Sequence, residues 1–266
     1  MERLSKQYKK ALVIFIDILG SQNREDFDVL YKINDTFHSV LLSNKDNDRP
    51  HTAYKREIYT FSDCAYIIYD FKENVPDEKK DLGKLFEVAL ANCEPLLIRF
   101  LNEGFIFRGG IAYGDVYYEQ ERNLLFGPGI NSAYKLESVV AKYPRIVVED
   151  YVAETILEHW NRVVYEMGHP KTEEEIAIFS SFGNLKLMEG CVVKKDFDGT
   201  YMLHYLNAIE TKVESISIIQ TTNEKFIEKL RNLCVSEIKK NEQNPHIAQK
   251  YGWLLKYIDL VYDEVD

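Results

Sequence analysis

The apolar positions of this chain change their period from segment to segment, and the changes mark its elements. Residues 11–20, ALVIFIDILG, carry eight aliphatic or aromatic side chains in ten. Val13, Ile14 and Ile16 are β-branched and polar residues flank the run, which predicts a strand buried on both faces. Over residues 25–42, Phe27, Leu30, Ile33, Phe37, Val40 and Leu41 recur at helical spacing. Residues 54–62 and 64–70 predict two strands of a hairpin turning at 61–63, although no Asn-Gly pair marks the turn. A charged loop over 72–84 precedes a helix expected over 85–103. Strands over 105–112, 113–121 and 124–126 follow, then a helix over 130–140 and a strand over 145–148.

The first six elements run β-α-β-β-α-β, the split βαβ order of a ferredoxin-like antiparallel sheet with helices on one face. The last third predicts a helix over 151–159, then strands over 185–195 and 201–205 around a turn at Asp196-Phe197-Asp198-Gly199. Two closing helices are expected over 223–240 and 245–261. No repeat or linker interrupts the chain. The expected fold class is therefore α+β, one domain over 1–266, with a core at 10–150 and C-terminal strands and helices at 151–266.

Composition narrows the class of partner. The 266 residues are 45% hydrophobic and 29% charged, enough for a sizeable core without metal or disulfide staples. The net charge of −10 argues against duplex nucleic acid or an anionic membrane as the main partner. Cys64, Cys93, Cys191 and Cys234 form no CxxC pair, as expected of reduced thiols in a cytoplasmic protein. No signal-like start is present, and no apolar run reaches ~18 residues.

Two carboxylates break the pattern. Asp17 interrupts IFIDIL, where desolvation costs several kcal/mol unless a positive group adjoins it. It either caps the turn after the strand or ligates a metal. Asp63 stands at the hairpin turn, where Asp also serves ordinary turn chemistry. In the split βαβ order the first strand and this hairpin are neighbours. Two carboxylates at one sheet edge suit Mg²⁺ or Mn²⁺, the layout of two-metal phosphoryl transfer. On the helix over 130–140, Asn131 and Lys135 are one turn apart and project from one face.

The run FIDILG, the Ser-Asp pair with Asp63 46 residues after Asp17, FRGGIAYGDV and FGPGINSAYKLES resemble the catalytic domain of the class III nucleotide cyclases over residues 10–150. The resemblance implies that Asp17, Asp63 and the Ile18 carbonyl hold two divalent ions, Mn²⁺ or Mg²⁺. It implies that Asn131 and Lys135 are the transition-state pair, with Lys where that family carries Arg. That change keeps the charge and loses the bidentate fork. Leu19, Gly20, Tyr59 and Arg108 are the expected nucleotide-binding residues. Tyr59 and Pro128 stand where adenylate-forming members read the purine with Lys and Asp. In this the chain is similar to the pyrimidine cyclases of the Pycsar anti-phage system. DFDGTYMLHYL and KYGWLLKYID also resemble segments of that group.

The implied activity is cyclisation of UTP, or CTP, to the 3′,5′-cyclic monophosphate with release of pyrophosphate. The implied assembly is a homodimer with its active sites at the interface, metal aspartates from one chain and Tyr59, Asn131 and Lys135 from the other. A purine cyclase and a non-catalytic nucleotide-binding module remain the alternatives. His38, His51, His159, His169, His204 and His246 have no ligand spacing. Gly109-Gly110 lacks the context of a phosphate loop and suits a close crossing in the sheet. Arg108 serves either to anchor its strand or to touch the triphosphate.

Overall fold

A computed structural model describes residues 6–20, 25–46, 53–167, 191–206 and 222–262. Strand β1 (Lys9–Ile18) is followed by α1 (Phe27–Asp46), the hairpin β2 (Tyr54–Phe61) and β3 (Cys64–Phe71), α2 (Leu82–Asn102) and β4 (Phe107–Glu119). The strands order as β2-β3-β1-β4, with every neighbouring pair antiparallel. That order is the ferredoxin-like arrangement expected from the element sequence. The chain continues through β5 (Leu124–Phe126), α3 (Pro128–Lys135), a π turn (Leu136–Val140), β6 (Ile146–Val148) and α4 (Asp150–Met167). The last elements described are the hairpin of β7 (Val193–Lys195) and β8 (Tyr201–Leu203), then the helices α5 (Asn223–Lys240) and α6 (Pro245–Tyr262). Strand β6 joins β4 in parallel and carries β8 and β7 onto the same sheet.

Burial explains why β1 reads as a continuous apolar run. Its even-numbered residues Leu12, Ile14, Ile16 and Ile18 enter the large core with Phe37 of α1 and Phe86, Leu97 and Phe100 of α2. Its odd-numbered residues Ala11, Val13 and Phe15 enter a smaller core on the opposite face, with Tyr59, Ile68, Ala112, Ile130 and Ala133. Each Val, Leu, Ile or Phe among them contributes about 1.5–3 kcal/mol when taken from water. Asp17 is the next odd-numbered residue, so the strand's own alternation turns it to the smaller core's face.

Helix α3 lies very close to that face. A Cβ on Gly110 would come within 2.2 Å of the Ala133 carbonyl oxygen, and one on Gly109 within 2.2 Å of the Phe15 carbonyl oxygen. The Gly-Gly pair thus permits two backbone approaches, the crossing expected from sequence.

Several boundaries move. The strands expected over 105–112 and 113–121 form one strand, β4, whose outer half is only partly covered and so reads as polar. Helix α2 begins at Leu82 because the Asp81 carboxylate accepts from the Lys84 amide at 3.0 Å, a cap not read in the sequence. The helix expected over 130–140 is α-helical only to Lys135 and then widens into the π turn. Helix α4 runs eight residues beyond the expected His159. The strand expected over 185–195 falls mostly outside the described residues, as do His51 and His169.

Candidate active site

The site is built at the end of β1. Because β1 runs antiparallel to both neighbours, Asp17 stands opposite Cys64 of β3 and Arg108 of β4, all on the smaller core's face. The hairpin turn Ser62-Asp63 closes against the same end, with the Ile18 amide donating to the Asp63 carbonyl at 3.1 Å. Ser62 holds a left-handed φ of 56°, a conformation more often given to Gly. The two aspartates expected to act together are therefore neighbours, and the Asp63 charge acts on Asp17.

The Arg108 Nε donates to Asp17 Oδ2 at 3.3 Å and pairs with Glu137 Oε1 at 2.5 Å. Glu137, from the π turn, is almost wholly buried. Burial pushes its carboxyl up to about 7, with Arg108 pulling back and the Asp17 charge adding to the rise. Burial also raises Asp17, against the pull of Arg108 and with a smaller push from Asp63. Two carboxyl groups thus share one guanidinium, and the Asp63 charge acts on one of them. A divalent cation on Asp17 and Asp63 would relieve that excess of negative charge, so the donor chemistry fits a hard metal ion. Among the described residues, no three His, Cys, Asp or Glu side chains form a metal cage. Two carboxylates plus the Ile18 carbonyl would leave the other positions to water and phosphate oxygens, the usual habit of Mg²⁺.

The other expected residues are distributed around this centre. Leu19 packs in the large core and its amide is committed to the Ile106 carbonyl at 2.9 Å, whereas Gly20 is exposed with φ 80°. Tyr59 is 8% exposed and lies opposite Tyr66, which stacks on Phe15 at 4.4 Å. Its hydroxyl has no well-formed hydrogen bond among the described residues, and burial pushes the phenol up to about 12. Asn131 and Lys135 are exposed on α3, while Ile130 and Ala133 of the same helix face the small core.

No family model matches this chain, and no curated protein matches it. Solved structures similar to it include the catalytic core of a rhodopsin-guanylyl cyclase with converted specificity in complex with ATPαS. It is 19% identical, covers 57% of this chain and 83% of that one, and has a TM-score of 0.42. A monomeric guanylyl cyclase domain of the RhoGC fusion protein from the aquatic fungus Blastocladiella emersonii is 18% identical, covers 57% and 88%, and also scores 0.42. The strand order β2-β3-β1-β4 defines the fold of this chain.

Glu137 is the functional candidate that sequence reasoning missed. A signal was present, because Ile130, Ala133 and Glu137 fall at i, i+3 and i+7 on the buried stripe of the expected helix. A carboxylate on an apolar stripe asks for a partner, and Arg108 is that partner.

Proposed function

We propose that the chain is a nucleotide cyclase that converts a pyrimidine nucleoside triphosphate, UTP ahead of CTP, to its 3′,5′-cyclic monophosphate and pyrophosphate. The observation that carries the reading is the meeting of Asp17 and Asp63 on adjoining strand ends beside Arg108. The sequence resemblance to class III cyclases supports the same reading.

In this mechanism Asp17, Asp63 and the Ile18 carbonyl hold the divalent ions. When bound, these supply charge neutralisation for the triphosphate and a lowered pKa at the ribose 3′-hydroxyl. The 3′-oxygen forms a bond to the α-phosphorus as the bond to the β-phosphate's bridging oxygen breaks, and the hydroxyl proton passes to solvent. Arg108, held by Glu137, meets the phosphate tail with its remaining donors. Asn131 orients the ribose and Lys135 meets charge developing on the phosphorus.

The last two residues act from a second copy of the chain. Their exposure on α3 supports this, as do the exposed apolar side chains Phe61, Phe126, Tyr134 and Val139. Tyr59 reads the base: its buried hydroxyl can donate or accept one hydrogen bond, and its ring takes up space a purine needs. A role in antiviral signalling rests on the sequence resemblance alone.

Incubation of the purified protein with each of the four NTPs and Mn²⁺, with products identified by mass, tests the reading. Cyclic UMP or cyclic CMP is expected. Equal cyclisation of ATP or GTP would replace the pyrimidine reading with the purine one, and absence of any cyclic product would remove the enzyme reading.

A further inference from the structure

Arg108 meets two carboxyls of the site through one atom. Its Nε donates to Asp17 Oδ2 at 3.3 Å and stands 2.5 Å from Glu137 Oε1. The donors of its terminal nitrogens take no part in either contact. The two carboxyls differ in access: the side chain of Asp17 is 23% exposed and that of Glu137 only 3%. Glu137 reaches Arg108 from the π turn at Leu136–Val140, where the helix after Lys135 widens. Single π turns of this kind recur at functional sites.

Asp17 Oδ2 therefore has two claimants. It is the acceptor of the longer Arg108 contact, and it belongs to a carboxylate placed to hold a divalent ion with Asp63. A guanidinium and a divalent ion on one carboxylate repel each other. Solvent reaches Asp17 and scarcely reaches Glu137, so an incoming ion can take the first and not the second. The contact that survives is the shorter one, to the buried Glu137.

We infer that Arg108 is the counter-ion of Asp17 only until a divalent cation displaces it, and that Glu137 then keeps the guanidinium where a phosphate tail can meet it. Glu137 is in this sense a positioning residue, acting through Arg108. The exchange, which rests on the cyclase reading above, makes ion and arginine opponents in the absence of phosphate and allies in its presence. An anion between them turns their repulsion into two attractions. By linkage, ion and triphosphate each tighten the binding of the other.

Titration of ¹⁵N-labelled protein with Mg²⁺ reads the exchange directly, with the Arg108 Nε–H signal assigned by its absence from Arg108→Lys. The signal should shift as Mg²⁺ binds the wild type and stay in place in Asp17→Asn. An unmoved signal in wild-type protein that binds Mg²⁺ by calorimetry overturns the inference. Arg108→Gln should bind Mn²⁺ alone about fivefold more tightly, followed by the paramagnetic resonance of the free ion. The same variant should bind UTP at saturating Mn²⁺ about tenfold more weakly. A residue that only braced the sheet would not move the two affinities in opposite directions, so unchanged or weaker Mn²⁺ binding by folded Arg108→Gln also overturns the inference. Glu137→Gln removes a negative charge, which by itself would tighten UTP. Loss of the group that holds Arg108 should instead weaken UTP about fivefold, and should add nothing in the Arg108→Gln background. Tighter UTP binding by Glu137→Gln removes its positioning role. If these variants unfold, the wild-type Mg²⁺ titration decides alone. Displacement of Arg108 without a cyclic product from any NTP would leave this inference standing and overturn the cyclase reading; cyclic product with a stationary Arg108 would do the reverse.

Discussion

Asp17 is half-hidden at a strand end, its carboxyl raised by burial and by the Asp63 charge, against the pull of Arg108 and of a hydrogen bond with Glu137. Asp17→Asn removes one of the crowded charges while keeping the shape. It should abolish cyclisation yet leave the midpoint of thermal unfolding unchanged or slightly higher. Activity above about 1% of wild type at saturating Mn²⁺ would contradict the metal assignment. Lys135 calls for a different signature. If it acts only on the transition state, Lys135→Ala should lower kcat about 100-fold with KM nearly unchanged. Lys135→Arg should retain or improve the rate, because the guanidinium offers a bidentate fork. A rise in KM with kcat intact would make it a ground-state binding residue. At this scale the sequence was informative where chemistry conflicted with pattern, as for Asp17 inside IFIDIL. For Arg108 and Glu137, two groups distant in sequence that cancel each other's cost, it showed a carboxylate on a buried stripe but not the partner.

At the scale of elements, the legible segments are those whose pattern is decided locally. Strand β1 is buried on both faces and α1 and α2 on one, so their periods survive in the sequence. The turn at residues 196–199 shows the opposite case. Gly199 with φ 82° makes the turn readable. What the turn holds was not readable, because Arg145, 51 residues earlier, reaches it only in the folded chain. Arg145 and Asp196 are nearly inaccessible, whereas half of the Asp198 side chain is exposed. Asp196→Ala should therefore destabilise the protein by up to about 3 kcal/mol, since it removes the buried partner of Arg145 and leaves the half-exposed Asp198 to pair with it alone. Asp198→Ala should cost only about 1 kcal/mol. Urea unfolding of both variants checks the ranking, and an equal cost would contradict the assignment of Asp196 as the buried partner. Loss of the turn should also loosen α6, which Trp253 ties to Asp196.

Across the whole molecule, the C-terminal strands and helices close the sheet's far edge, and their core contains a histidine that should be visible in acid. Burial, reinforced by the charge of Lys194, lowers the His204 pKa from 6.5 to about 3, and its Nδ1 lies 2.7 Å from the Tyr257 hydroxyl. A group depressed in the folded state contributes stability that is complete above its unfolded pKa and is lost as pH falls toward the folded one. Between pH 6.5 and 5 the loss should be about 2 kcal/mol, at about 1.4 kcal/mol per pH unit. His204→Gln should flatten that slope in urea titrations at pH 7 and pH 5; an unchanged slope would show that other groups set it. The same scale decides function. The small core's face is covered by α3, which presents Asn131 and Lys135 outward, while the aspartates lie at the end of β1. The proposed cyclase site, divided between two copies, would bring these groups together.

The most direct measurement mixes Asp17→Asn and Lys135→Ala chains in equal amounts, each inactive alone, and assays cyclic UMP formed from UTP and Mn²⁺ by mass. After subunit exchange, half of the dimers are mixed. In each mixed dimer one of the two sites has every group intact, so activity should return to about a quarter of the wild-type value. No recovery after exchange has been verified by mass-tagged chains would contradict a site shared between two copies.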